Sequence, residues 1–303
     1  MNCTRTHVLV TGASSGIGRS SALHLAAQGR HVYAGVRNPA DGTSLTQSTA
    51  GEITPLLLDV TDATQLAAAV DTVTSHVANI GLDGLVNNAG IGVFGPLELI
   101  PLEHFRRLLE VNITGQLAVT QAFLPLIRQA CGRIVMIGSI GTRFTPPFVG
   151  PLAMSKSAIA TMDEALRQEV APWGIRVVLI EPASIRTDAV SKLDSDAAQL
   201  MSQASPAQQA LYQDAFGRLV DAFALQHRHG SPPEAAARAV ARALATPRPR
   251  ARYLVGKHSR QMAFLAAALP TPVLDRLRRK RAHQPAPGSR TAAPRGLGSA
   301  HIS

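Results

Sequence analysis

Short apolar runs recur along this chain at spacings that leave room for a helix after most of them. They are "HVLVT" (7–11), "HVYAGV" (31–36), "TPLLLDV" (54–60), "LDGLVNN" (82–88), "RIVMIGS" (133–139), "IRVVLIEP" (175–182) and "RYLVG" (252–256). Valine, isoleucine and leucine fill them almost continuously instead of alternating with polar residues. A strand that is apolar on both faces is one covered on both faces, the condition inside a parallel sheet. Stretches of helical period lie near 16–28, 62–79, 101–129, 152–171 and 233–245. Strand and helix in alternation, joined by right-handed crossovers, make an α/β domain with a doubly wound parallel sheet. No repeat or composition break divides residues 1–258, so one domain is expected there.

A chain of 303 residues can bury roughly three quarters of its unfolded surface around one core. Apolar content of 46 % and charged content of 17 % fit a globular fold. The two cysteines, Cys3 and Cys131, offer neither a disulfide framework nor metal-ligand spacing, so no metal and a reducing compartment are expected. The N-terminal residues enter a strand-like run without a charged-then-apolar leader pattern, and the tail run "MAFLAAAL" (262–269) is too short to span a bilayer. A cytoplasmic protein is the expectation. The net charge of +10 is not spread evenly: from Arg248 onward twelve Lys and Arg face one acid, Asp275, which leaves the body near neutrality. A basic body would have pointed to nucleic acid; a basic tail on a neutral body does not, and no nucleic-acid partner is expected.

Residues 183–231 are polar, rich in Ala, Gln and Ser, and weakly helical, and they follow a strand end where ligands of open sheets bind. They are read as a lid insert. Residues 259–282 read as an amphipathic basic helix, and the Pro/Gly/Ser-rich 283–303 as disordered.

"TGASSGIG" (11–18) joins the first strand to the first helix. Gly12, Gly16 and Gly18 let the backbone turn tightly and approach a pyrophosphate, and with Ser14, Ser15 and Ile17 they surround a helix N-terminus that offers free N–H groups. A tight turn without a ligand is the alternative. At the end of the second strand, where an acid would bind a ribose 2′-hydroxyl, stand Val36 and Arg37. A guanidinium there can pair with a 2′-phosphate, so NADP(H) is the expected cofactor, unless Arg37 is a solvated surface residue. Asp59 of "LLLDVTD" could accept from an adenine amino group while the Val60 amide donates to the ring; Asp59 could equally be a helix cap.

With "TGASSGIG", "NNAG" (87–90), Asn112, Ser139 and "MSK" (154–156), residues 7 to about 258 resemble the short-chain dehydrogenase/reductase family. The resemblance implies a Rossmann-type fold and NADP(H)-dependent oxidation or reduction. It places Asn88, Ala89 and Gly90 along the cofactor cleft, and makes Asn112, Ser139 and Lys156 catalytic. Asn112 would hold a water wired to the lysine, Ser139 would hydrogen-bond the substrate oxygen, and Lys156 would grip the nicotinamide ribose. Ile185 and Thr187 match positions that hold the nicotinamide carboxamide. The family's usual Pro-Gly after the sixth strand is Pro182-Ala183 here, which costs about 1 kcal/mol if the position needs positive φ.

The family's catalytic tyrosine belongs four residues before the lysine, and this chain has Leu152. A hydrocarbon cannot donate the proton that a reduced carbonyl oxygen needs, and loss of a positioned acid typically costs ~10²–10⁴ in rate. Three readings follow. The chain is an oxidoreductase with an altered site, using another donor (Tyr212, His227 or His229 from the lid) or a substrate that needs less help. Alternatively, it binds NADP(H) without turnover, as a pseudoenzyme, partner subunit or sensor. Or the fold serves a non-redox reaction. Tyr33 and Tyr253 lie in strands and are read as core, and Ser155 as structural. Survival of the cofactor motifs with Asn112, Ser139 and Lys156 puts the oxidoreductase first.

Phe144, Pro146, Pro147, Phe148 and Leu152 would line one wall of the substrate site and favour a hydrophobic alcohol or ketone, unless they only pack the loop. The apolar-then-basic "SRQMAFLAAALPTPVLDRLRRKR" (259–281) suits either peripheral contact with an anionic membrane or docking on the protein body. The resemblance further implies a homodimer or homotetramer formed through the helices that carry Asn112 and Lys156.

Overall fold

The computed structural model describes residues 6–187, 193–285 and 287–288. Seven strands, β1 (His7–Val10), β2 (His31–Val36), β3 (Ile53–Leu57), β4 (Gly84–Asn87), β5 (Arg133–Ile137), β6 (Arg176–Pro182) and β7 (Arg252–Val255), form one sheet. Every pairing is parallel and the order is β3-β2-β1-β4-β5-β6-β7. The doubly wound sheet expected from the apolar runs is what forms.

The continuous apolar character of the strands has a direct structural cause. Leu9, Leu85, Ile134, Met136 and Leu179 point into a cluster with α3 (Ala63–Val77), α5 (Gln116–Gln129) and α6 (Gly150–Glu169). Their neighbours Val8, Val86, Val135, Ile137 and Ile180 point the other way, against α1 (Gly16–Ala27) and α9 (Pro233–Ala245). Successive residues serve opposite layers, so neither set can be polar.

Several elements differ from the sequence expectation. Helix α2 (Pro39–Gln47) adds to the expected elements: Asn38 caps it by accepting from the Ala40 N–H at 3.0 Å and Pro39 opens it. The helix expected over 101–129 is α4 (Leu102–Leu109), a π-helical stretch (Glu110–Gly115) and α5. The lid is strongly helical: α7 (Leu193–Gln203) is followed by α8 (Pro206–Arg228), which starts with a Ser205/Gln208 capping box. The tail forms two helices where one was expected, α10 (Ser259–Ala268) and α11 (Thr271–Arg281). Pro270 separates them, because a proline disfavours helical backbone in the residue before it, here Leu269. Most of the tail expected to be disordered, and residues 188–192 of the lid, lie outside the described residues. Among the described residues no helix is long and apolar enough to cross a membrane.

The lid and tail make a third core of their own. Leu193, Leu200, Phe216 and Leu219 pack with Val149 and with Ala282, which follows α11. The tail docks on the body: Leu274 is buried, Arg218 donates to the His283 carbonyl at 3.2 Å, and Gln284 to the Ala215 carbonyl at 3.3 Å.

Candidate functional site

Strand order reverses between β1 and β4, which opens a crevice at their carboxyl ends. The turn from β1 to α1 lines it. A Cβ on Gly12, whose φ is +62°, would come within 2.8 Å of the Ala89 Cα, and one on Gly18 within 2.1 Å of the Gly12 carbonyl oxygen. Only glycine fits either place. The Asn88 amide clamps the turn, donating to the Thr11 and Gly12 carbonyls at 2.9 and 3.0 Å, while Thr11 Oγ1 accepts from the Asn88 and Ala89 N–H groups. Ser14 and Ser15 close the turn; Ser15 is the N-cap of α1 yet makes no side-chain cap. The first-turn amides therefore face the crevice without an internal partner, as an anion site requires. Ile17 packs with the α1 cluster, and Thr187 Cγ2 approaches Gly16 across the turn. The cradle fits a pyrophosphate.

Arg37 is exposed at the end of β2. Asp59 forms a local turn, its Oδ1 accepting from the Thr61 N–H at 3.0 Å and the Thr61 hydroxyl at 2.7 Å. The cap of α3 is Asp62 instead, which removes the helix-cap alternative for Asp59. Burial opposes ionisation of Asp59, but the Thr61 hydrogen bonds and the charges of Arg107 and Arg37 outweigh it and hold the carboxyl below its ordinary range. Val60, buried beside it, packs against Gly115.

Asn112 sits in the π-helical stretch, a local widening frequent at functional sites. Its Oδ1 accepts from the Ile91 N–H at 2.8 Å, and its Nδ2 donates to the Ile91 carbonyl and to Ser155 Oγ, each at 3.0 Å. Ser155 in turn donates to the Leu152 carbonyl at 2.9 Å, so its hydroxyl is structural as expected. Gly90 lies close to Asn112 Oδ1, where a Cβ would come within 3.1 Å.

Lys156 is on α6, one turn after Leu152, and its Nζ donates to the Ile137 carbonyl at 2.8 Å. The residue is half-buried, and burial disfavours its charged form and lowers its pKa from 10.5 to about 8. Ser139 follows β5, and its Oγ accepts from the Gly141 N–H at 3.0 Å, which leaves the hydroxyl hydrogen free to point elsewhere. Ala183 is not among the residues with positive φ, so alanine after Pro182 carries no left-handed strain.

Ser139 and Leu152 share a cavity of about 260 Å³ with Phe94, Phe144, Pro146, Val149 and Ile185. Pro147 and Phe148 do not line it. Phe148 turns away under the lid, edge-on to Phe216 at 5.5 Å, from a backbone φ of +65° that is rare for an aromatic residue. Of the substitute donors, only His227 reaches the cavity; its Nε2 accepts from the Thr187 N–H at 3.1 Å. Tyr212 donates to Glu98 at 2.5 Å, and His229 is exposed outside the lining. Tyr33 is fully buried as expected, whereas Tyr253 on the edge strand is only partly so.

Two features behind the cavity had no legible signal in the sequence. Arg143 forms a bidentate pair with the fully buried Glu181, at 2.8 and 3.0 Å, and pins the loop after Ser139 to the end of β6. Arg278 of α11 donates to the Arg143 carbonyl at 3.1 Å, which ties the tail to the same loop.

A family model described as short chain dehydrogenase matches residues 6–198. An NADPH-dependent 3-dehydrocapnine reductase of Ornithobacterium rhinotracheale is 32 % identical over 278 residues, covering 89 % of this chain and 95 % of that protein. Retinol dehydrogenase 5 of Mus musculus is 34 % identical over 276 residues, covering 88 % and 86 %. Among solved structures, a short-chain dehydrogenase from Streptomyces avermitilis aligns with a TM-score of 0.72 at 26 % identity, over 93 % of this chain and 97 % of that one. The chain belongs to the short-chain dehydrogenase family of nicotinamide-dependent oxidoreductases.

Proposed function

We propose that this protein is an NADP(H)-dependent oxidoreductase acting on a hydrophobic alcohol or ketone, with an active site altered at Leu152. The observation that carries the reading is the joining of a glycine cradle with an uncapped helix N-terminus, on one sheet edge, to an apolar cavity that contains Ser139. Arg37, exposed at the end of β2, supplies the positive charge for an adenosine 2′-phosphate, and Asp59 would accept from the adenine amino group while the Val60 amide donates to the ring. The NADPH-dependent relative supports the phosphorylated cofactor, and the retinol dehydrogenase supports an apolar substrate.

Bound nicotinamide supplies hydride exchange at the carbonyl carbon. The residues do the rest. Gly12, Ser14, Ser15, Gly16, Ile17 and Gly18 take the phosphates, Asn88, Ala89 and Gly90 line the cleft, and Lys156 donates to the ribose. Thr187 and Ile185 lie where the carboxamide would be held. Ser139 donates its free hydroxyl hydrogen to the substrate oxygen and stabilises charge there. Leu152 offers no proton. His227 is the lid histidine in the cavity; while its Nε2 accepts from Thr187 its one ring hydrogen is on Nδ1, which can offer a substrate oxygen a hydrogen bond but not a proton. Leu117 and Met154, exposed on α5 and α6, support the expected self-association through those helices.

Consumption of NADPH with a panel of hydrophobic ketones tests the reading. Turnover is expected with some members, with Ser139→Ala reducing kcat roughly 10²–10³-fold by removing the hydrogen-bond donor to the substrate oxygen. Absence of turnover across the panel, with NADPH bound, favours the second reading, a nucleotide-binding protein without catalysis, for which Leu152 is the specific observation.

A further inference from the structure

The cavity that holds Ser139 and Leu152 is apolar over most of its wall, yet one lining residue carries full charge: Arg281, the last residue of α11. Among the described residues no carboxylate lines the cavity. Among the described residues Arg281 has no ion pair or hydrogen bond; its guanidinium stands 5.5 Å from the ring centre of Phe144, on the cavity wall. Its neighbour Arg278 is already committed, to Asp275 at 3.0 Å and to the Arg143 carbonyl at 3.1 Å. The scaffold that presents Arg281 is fixed: Leu274 and Ala282 on either side are buried, and the segment that follows is hydrogen-bonded to α8. Arg281 itself is exposed, which puts it where the cavity meets solvent.

An unopposed guanidinium at the edge of an apolar cavity is a seat for an anion. Its planar donors match a carboxylate, sulfonate or phosphate in two-point contact, and partial desolvation by Phe144 strengthens that contact. Resting on the reading of this cavity as the substrate site, we propose that the substrate is an anionic amphiphile. Its charged group pairs with Arg281 at the mouth, and its apolar body lies along Phe144, Val149 and Leu152 toward Ser139. The basic tail is then a specificity element of the site itself, contributed from the far end of the chain.

Fluorescence titration of the full chain, without cofactor, with cis-parinaric acid and its methyl ester tests this. The acid is expected to bind roughly tenfold more tightly than the ester, the size of one charge-assisted contact. Arg281→Gln should abolish the preference with ester binding unchanged, and Arg276→Gln, outside the cavity lining, should retain it. Equal affinity for acid and ester, no binding of either, or equal loss of preference in both variants overturns the proposal. Because the readout needs neither NADPH nor turnover, its failure leaves the cofactor and turnover tests of the enzymatic reading standing, and their failure leaves this one standing.

Discussion

At the scale of single residues, two side chains carry the proposed chemistry. Leu152 stands one helical turn before Lys156 and shares its cavity with Ser139, so a tyrosine hydroxyl at that position would open toward the serine. Leu152→Tyr should raise NADPH-dependent reduction of hydrophobic ketones by ~10²–10⁴-fold if the site retains everything but its acid. Loss of a pre-existing activity in that variant would show that leucine belongs to a working mechanism. Lys156 makes a pH prediction. Its ammonium is disfavoured by burial, and its pKa falls to about 8. The charged form donates more strongly to ribose hydroxyls, so NADPH affinity should hold below about pH 8 and weaken above it, as the lysine deprotonates. In Lys156→Met, affinity should be weaker and level over the same range. Wild-type affinity unchanged to pH 9.5 would contradict the assigned role.

At the scale of elements, α6 carries a cost as well as the lysine. Asp163 is fully buried, neither carboxylate oxygen has a hydrogen-bond partner, and Arg167 comes no closer than 3.7 Å. Burial, opposed only in part by Arg167 and Arg252, raises its pKa to about 6. A carboxyl with a raised folded-state pKa binds its proton more tightly folded than unfolded, so stability is lost as pH rises from about 4 to about 6. Above that window the ionised group costs about 3 kcal/mol. Asp163→Asn should therefore raise Tm at pH 7 by several degrees and flatten the acid side of the stability profile, as thermal melts from pH 4 to 7.5 would reveal. A lower Tm at pH 7 would mean that the charge is used.

The same scale explains what could be read from the sequence. The strands were legible because residues such as Val8 and Leu9 must both be apolar when layers cover both faces. The turn at residues 11–18 was legible because steric exclusion at Gly12 and Gly18 leaves a fixed residue pattern. Helix α2 is not legible although Asn38-Pro39 marks its start, because its body, "ADGTSLTQ", has no apolar periodicity. Lid helix α8 was underrated for a similar reason: it buries only Ala215, Phe216, Leu219 and Val220 over 23 residues. From sequence His227 could not be told from Tyr212 and His229 as the lid residue that reaches the cavity, and Arg281 could not be placed there at all. Their position depends on how the lid and tail pack on each other, through pairs such as Arg218 and His283 that nothing local specifies.

For the whole molecule, function depends on three cores sharing one crevice: two layers that build the sheet edge, and the lid-and-tail cluster that closes over it. The tail read from composition as a membrane or docking segment is docked, with Leu274 buried and Arg278 tied to the loop after Ser139. Phe264 on α10 and Val273 on α11 stay exposed.

Everything in the proposed chemistry requires a phosphorylated dinucleotide in the crevice between β1 and β4. Titration of the purified chain with NADPH and with NADH, followed by fluorescence, measures that occupancy directly. NADPH should bind at least roughly tenfold more tightly, as one phosphate–guanidinium contact warrants, and Arg37→Asp should reverse the order. Equal affinity for the two cofactors, or binding of neither, would contradict it.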